Sequence, residues 1–379
     1  MRLLIISASA GHGHVRAAQA LETWARELYP DAEVRNVDIL DYTAAIYRKA
    51  YAASYLKLAD RAPELWGYLF NKGDRPKAQK RQAAIIRAFD RIEFAGFRAM
   101  LREFAPDHLL CTHFLPAQIL RPYEGKDWVK FSLNLCVTDY VAHGFWAQPN
   151  AAQFFVGSGE ALEELADKGI ERGRVSVTGI PIMPQFGREY DRAALCEKFG
   201  LDPTVPTVLA MSGGWGAAGM PALVETILQF APVQVIAIAG RNERMREEVA
   251  KVKAPAGSQC LALGFVDNIH ECMAVSSLCV TKSGGLTTAE CLAMGLPMLV
   301  PNPIPGQEAR NAEYVTECGA AMIARSPGAL RHKLGKFLRD PELRARMGAA
   351  TRARGRAGAA AEILRRVTEE PCREDRGQD

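Results

Sequence analysis

The sequence predicts an α/β protein built from two doubly wound, Rossmann-like domains. Three observations lead there. Short, wholly apolar runs recur along the chain, and several end in a turn of glycine and other small residues. Helix-spaced segments follow those turns, so strand and helix alternate as in an open parallel sheet. The length, 379 residues, is long for one core and natural for two.

The elements follow in order. Leu3 to Ile6 reads as a first strand, Ser7 to His14 as a turn of small residues, and Ala17 to Leu28 as a helix that Pro30 stops. Glu33 to Ile39 is a second strand. Residues 42 to about 104 then interrupt the alternation with a helical, aromatic and basic insertion. From Arg61 to Arg102, ten basic residues stand against four acidic ones, a local charge of +6, which exceeds the +4 of the whole chain. Strands resume at His108–Thr112, Phe131–Val137, Gln153–Val156 and Val175–Thr178. Met183 to Asp202 reads as a linker and the first helix of a second domain. Thr207–Met211 is that domain's first strand, Gly213-Gly-Trp-Gly216 its phosphate-like loop, and Val233–Ala239 with Gly240-Arg241 the next strand and turn. Pro341 to about Val367 reads as helical, and a frayed polar tail follows Thr368. The expected domains are residues 1–182, 183–345 and a C-terminal helix and tail at 346–379.

Composition narrows the function. A net charge of +4 is too small to argue for nucleic acid, and no recognised RNA or DNA module is present. The nine cysteines contain no Cys-x-x-Cys pair, which speaks against a zinc site and for a reducing cytoplasm. The first apolar run is too short for a secretory signal, and no run reaches the roughly 18 apolar residues that span a bilayer. A membrane, if the protein meets one, is met from its surface.

The richest chemistry lies in Thr281-Lys-Ser-Gly-Gly-Leu-Thr-Thr-Ala-Glu290 and Pro303-Ile-Pro-Gly-Gln-Glu308. Glycines at a strand-to-helix turn let backbone amides approach a ligand, and a helix N-terminus favours an anion. Ser283, Gly284, Gly285 and Thr287 belong to that turn. Glu290, expected on about the first helical turn, is placed to accept ribose hydroxyls. Gly306, Gln307 and Glu308 supply a polar loop suited to a hexose. Phosphate, ribose and hexose contacts in that order describe a nucleotide-sugar site, and the plain alternative is a tight turn with a satisfied acidic residue. Gly213 and Gly214 add backbone amides in a phosphate-like loop, and Arg241 adds a guanidinium after a strand. No Asp-x-Asp triplet ends a predicted strand, so no essential metal and no cofactor are expected. In the first domain, His14 opens a helix after the first strand, where an imidazole suits a general base, while Asp139 ends an apolar strand and competes for that role. A loop-capping role for either is the structural alternative.

The words Gly264-Phe-Val-Asp-Asn-Ile-His270 through Gln307-Glu-Ala-Arg-Asn-Ala-Glu-Tyr314 closely resemble the monogalactosyldiacylglycerol synthase and processive diacylglycerol glucosyltransferase family, glycosyltransferase family 28. The resemblance covers Ser7 to about Arg339. It implies a GT-B fold, with two Rossmann-like domains facing an interdomain cleft, and inverting, metal-independent transfer of a hexose from UDP-galactose or UDP-glucose to diacylglycerol or a glycosyl-diacylglycerol. A UDP-glucuronate donor also fits. It implies that His14 points at the acceptor side, that Phe265 and Val266 hold uracil, and that His143 and Trp146 lie downstream of the Thr-Asp word of Asp139 on the acceptor side. Pro63, Leu65, Trp66, Tyr68 and Phe70 match a family word in the basic insertion, which implies peripheral docking on anionic lipids at the inner face of the membrane. Ser283 stands where a proline is common, and Trp215 is bulky for a phosphate loop. Another GT-B enzyme (a lipid II-type N-acetylglucosaminyltransferase or a UDP-sugar epimerase) and a non-catalytic nucleotide-sugar or lipid sensor are the rival readings.

Overall fold

A computed structural model describes residues 1–9, 11–44, 94–211 and 216–369. Most of the basic aromatic insertion, including Pro63, Leu65, Trp66, Tyr68 and Phe70, lies outside the described residues, as do Gly213 and Gly214. Two compact units divide the chain. The first comprises Met1–Pro184, Ile304–Arg310 and Arg356–Asp379, and the second Gln185–Pro303 and Asn311–Gly355.

The first unit contains β1 (Arg2–Ser7), α1 (His12–Leu28), β2 (Glu33–Asp38), α2 (Ala95–Phe104), β3 (His108–Cys111), α3 (Leu115–Leu120), β4 (Ser132–Cys136), β5 (Gln153–Val156), α4 (Gly159–Asp167) and β6 (Val175–Val177). Its strands form one parallel sheet in the order β2-β1-β3-β4-β5-β6. The apolar run of β1 is buried on both faces because side chains alternate along a strand. Leu4 and Ile6 join Phe97, Phe104, Leu109 and Phe154 on one side, while Leu3 and Ile5 join Leu110 and Phe155 on the other. Each such side chain contributes roughly 2 kcal/mol by leaving water.

In the second unit lie α5 (Arg192–Phe199), β7 (Thr207–Met211), α6 (Gly216–Leu228), β8 (Gln234–Ile238), α7 (Glu243–Ala250), β9 (Gln259–Leu263), α8 (Ile269–Val275), β10 (Leu278–Val280), α9 (Gly285–Ala293), β11 (Met298–Pro301), most of α10 (Gln307–Glu317), β12 (Ala321–Ala324), α11 (Pro327–Arg339) and α12 (Pro341–Arg354). Its sheet is also parallel, ordered β12-β11-β10-β7-β8-β9. Both sheets therefore reverse direction once, between β1 and β3 in the first and between β7 and β10 in the second. Ligands of open α/β sheets bind at the carboxyl ends of strands at such a switch point.

Two expectations change. The segment from Pro341 to about Val367 is two helices rather than one: α12 ends at Arg354 and α13 (Ala359–Glu369) follows. Gly355 separates them, and a Cβ there would lie 2.6 Å from the Leu292 carbonyl oxygen, so the backbone passes too close for any side chain. After the break, α13 packs Ala360, Ile363, Leu364 and Val367 against the Leu3–Ile5 face of the first sheet. The first helix starts at His12, not Ala17. Its N-cap is Gly11, which offers no side-chain cap bond and so leaves no start signal in the sequence.

Candidate active site

The carboxyl ends of β1, β3 and β4 meet around His14. This histidine is the third residue of α1 and faces inward, 9% exposed. Its Nδ1 lies 2.8 Å from the Thr112 carbonyl oxygen and 2.9 Å from Thr138 Oγ1. A carbonyl only accepts, so Nδ1 carries the proton and the lone pair of the neutral ring resides on Nε2. Thr112 also donates its hydroxyl to the His14 carbonyl oxygen at 2.9 Å, so β3 grips this turn of α1 twice. Burial pushes the imidazole pKa down to about 4, and the Thr112 hydrogen bond opposes the shift without cancelling it. At neutral pH the ring is therefore uncharged, its tautomer fixed, its Nε2 a proton acceptor.

Aromatic rings enclose this imidazole. His113 lies edge-on at 4.7 Å between centroids, and Trp146 is at 6.4 Å. The Leu115 amide donates to His113 Nδ1 at 3.1 Å, and burial, aided by His14, holds the His113 pKa well below the ordinary value. Trp146 and His143 are 2% and 4% exposed, so both rings pack inside the unit. His143 caps the following 3-10 turn, Gly144–Trp146, by accepting from the Phe145 amide at 3.3 Å.

Asp139 follows Thr138 on the same loop and is buried. Its Oδ2 accepts from Gln307 Nε2 at 3.2 Å. The same loop is held further on: the Ala142 amide donates to Glu164 Oε2 at 2.5 Å, and Arg310 forms an ion pair with Glu164. Gln307 and Arg310 are one helical turn apart on α10 and belong to the segment Ile304–Arg310 of this first unit. Gly306 precedes them with φ of +105°, a left-handed conformation that a side chain would strain. Glu308 is half-buried beside them.

In the second unit, β10 runs into Ser283, which is fully buried, and Gly284 is the N-cap of α9. No side-chain bond caps this helix at Gly284 and no acidic residue lies in its own first turn, so its N-terminal amides and positive dipole end favour an anion. A Cβ added at Gly284 would meet nothing within 4 Å. Thr287 is half-buried on the first turn. Glu290 is 7% exposed and sits on the second turn, one turn later than the sequence placed it. After β8, the Arg241 guanidinium stands 5.5 Å over the ring of Phe265, which is 70% exposed, and Val266 beside it is half-buried.

The profile described as monogalactosyldiacylglycerol (MGDG) synthase matches residues 14–182, and that of the glycosyltransferase family 28 C-terminal domain matches residues 208–363. The chain belongs to this family of diacylglycerol glycosyltransferases. Among its curated relatives, the processive diacylglycerol β-glucosyltransferase of Bacillus subtilis (strain 168) is 27% identical over 348 residues, 91% of this chain and 89% of that one. The enzyme of the same name from Staphylococcus carnosus is 26% identical over 334 residues, 85% and 81% of the two chains. Solved structures agree on the GT-B fold. The S. aureus MnaA–UDP complex matches with a TM-score of 0.61 at 13% identity, covering 98% of both chains. MurG of Acinetobacter baumannii matches at 0.59 and 14%, covering 97% of this chain and 99% of that one.

Within the family frame, the candidate residues fall into three groups. His14, Asp139, His143 and Trp146 assemble with Gln307 in the first unit. Arg241 and Phe265 meet in the second unit, and Ser283, Gly284, Gly285, Thr287 and Glu290 share one strand-to-helix turn there. Gly306, Gln307 and Glu308, expected beside the donor, group with the first unit. Sequence reasoning passed over Thr112, His113, Thr138, Glu164 and Arg310. The threonines carry a weak signal, since each follows an apolar strand directly, as Asp139 nearly does. Nothing in the local sequence marks Glu164 as the partner of a loop 22 residues away.

Proposed function

We propose that the protein is an inverting, metal-independent hexosyltransferase that moves galactose or glucose from its UDP-sugar to diacylglycerol or a glycosyl-diacylglycerol at a membrane surface. The observation that carries this reading is the locked, neutral His14 at the switch point of the first sheet. The acceptor hydroxyl gives its proton to Nε2 as its oxygen attacks the anomeric carbon, and the nucleoside diphosphate leaves from the opposite face. The carboxylate of Asp139, on the loop that carries Thr138, offsets the imidazolium charge that this step creates. The second unit supplies the donor side: the uncapped start of α9 and Arg241 face charge that develops on the diphosphate, Phe265 offers a face to uracil, and Glu290 takes the ribose hydroxyls. Amides and a guanidinium supply what a divalent ion supplies elsewhere, which is the reason to expect no metal requirement. Among the described residues no helix is long and apolar enough to cross a membrane, in keeping with peripheral attachment. The relatives named for diacylglycerol β-glucosyl transfer support the acceptor class.

A donor screen tests the proposal. Purified protein is incubated with diacylglycerol in anionic vesicles and each UDP-sugar in turn, with a chelator present, and lipid products are resolved by mass. One hexosyl-diacylglycerol from one donor is the expected result. UDP binding without any lipid product overturns the acceptor assignment, and a product that disappears with chelator overturns metal independence.

A further inference from the structure

Phe145 stands apart from the aromatic residues around it: it is 38% exposed, while its neighbour Trp146 is 2% exposed. Its ring stacks on that of half-buried Phe114, with centroids 5.2 Å apart and planes at 28°. Phe114 in turn lies 4.2 Å from His113, and His113 lies 4.7 Å from His14. Trp146 closes the inner side, edge-on to Phe114 at 5.8 Å. Three ring-to-ring steps thus carry apolar surface from the proton-accepting imidazole to the outside of the unit.

The exposure is built in, not the result of a frayed loop. His143 holds the Phe145 amide, Gln148 Nε2 donates to the Phe145 carbonyl oxygen at 2.9 Å, and the Trp146 amide donates to the His143 carbonyl oxygen at 2.9 Å. With the buried Trp146 as a wedge, the turn fixes the backbone of Phe145 on both sides and presents its ring outward. Leaving over a third of a phenylalanine in water forgoes part of its burial free energy, which binding of an apolar group recovers.

We propose that the Phe114–Phe145 stack is a hydrocarbon-binding site for the acyl chain of the acceptor lipid. This rests on the reading of the protein as a diacylglycerol glycosyltransferase and adds residues to it. The first methylenes of an acyl chain lie along the stacked rings, and the free glycerol hydroxyl of the same molecule is thereby led to His14. Trp146 and His143, expected to touch the acceptor, instead brace the rings that do. Each methylene buried against the rings adds to the binding, so the site favours long acyl chains over short ones.

Two measurements on the full chain test this. The first compares kcat/KM for long-chain and short-chain diacylglycerols in mixed micelles of one detergent. In the wild-type protein the long chain is expected to be favoured at least tenfold. Phe145→Ser is expected to reduce that ratio to about threefold or less, and Phe145→Leu, which restores an apolar side chain, to bring most of it back. An unchanged ratio in Phe145→Ser overturns the site. Circular dichroism and a thermal melt of each variant report whether it is folded. The second measurement needs no turnover: a diacylglycerol bearing a diazirine near the ester end of one acyl chain is photolysed on the protein and the adduct is mapped by mass spectrometry. Labelling at Phe114 or at Gly144–Trp146 supports the site even if no donor yields a product, in which case only the transferase reading fails. Turnover with labelling confined to other peptides overturns the site and leaves the transferase reading standing.

Discussion

The two switch-point turns share a plan and differ in what fills them. Both α1 and α9 begin at a glycine N-cap without a side-chain cap, and neither has an acidic residue in its first turn. At α1 the space is occupied by the protein itself, with His14 inside a wall of His113, Phe114 and Trp146. At α9 the backbone is left open, and a Cβ at Gly284 would touch nothing. One turn thus offers a side-chain lone pair in a buried setting and the other a helix start without a side-chain cap. Proton transfer needs the former and anion binding the latter. Under the proposed function, one architecture used twice becomes two different tools through a handful of residues.

The sharpest way to break this comparison is His14→Ala. Loss of the proposed general base is expected to lower turnover by roughly 10²–10⁴-fold while UDP affinity stays at the wild-type value. Equal losses in both would mean that the two turns do not divide the labour. Acid comes next. His14 has its pKa lowered from 6.5 to about 4, so between these values the unfolded chain binds a proton that the folded chain does not, and stability falls as pH falls. The loss is complete below about pH 4 and amounts to roughly 3 kcal/mol from His14, with buried His113 adding in the same direction. Hydrogen exchange of the β1 and β3 amides at pH 4.5 and 7.5 measures it, and His14→Gln should flatten the slope. The same pKa predicts that activity has no acid limb near pH 6.5.

Much of this architecture was legible in the sequence because parallel strands are buried on both faces and therefore read as unbroken apolar runs. Leu3–Ile6 and Leu278–Val280 needed no further signal, and the glycines after them marked the turns. His14 and Asp139 were singled out because each belongs to the turn or loop that follows such a run. The partners of His14 were harder, since Thr112 and Thr138 lie 98 and 124 residues from it and only strand order makes them neighbours. Gly355 broke a helix that Ala and Arg composition favoured, and the reason, the Leu292 carbonyl, is 63 residues away. Recognition of Phe145 needed its exposure, since Phe145-Trp146 gives no hint of which ring is buried. The acceptor residues proposed in 63–70 lie outside the described residues.

A pair of glycines sharpens the comparison further. Gly179 has φ of +94°, and a Cβ there would lie 2.6 Å from Arg356 Cβ, so the fold itself demands glycine. Gly179→Ala is expected to cost roughly 1–3 kcal/mol of stability with UDP affinity unchanged. Gly284 has φ of −62° and open space, so the fold makes no such demand. Gly284→Ala should leave the melting temperature within a degree or two, yet weaken UDP binding by about tenfold, since a methyl group holds the diphosphate off the amides. Thermal melts and UDP titrations of the two variants should therefore give opposite patterns. Loss of stability without loss of affinity in Gly284→Ala would remove the ligand as the reason for that glycine.

The smallest effect belongs to Thr138→Val. The substitution keeps the shape of the side chain and removes one of the two acceptors around Nδ1, leaving the Thr112 carbonyl to fix the tautomer. One neutral hydrogen bond contributes about 1 kcal/mol, so kcat should fall no more than about fivefold, with KM for the donor unchanged. A fall of a hundredfold would mean that Thr138 does more than steady the ring, for instance by relaying the proton between His14 and Asp139. A proton inventory would then separate relay from positioning: a positioning role moves one proton in the rate-limiting step, and a relay moves two.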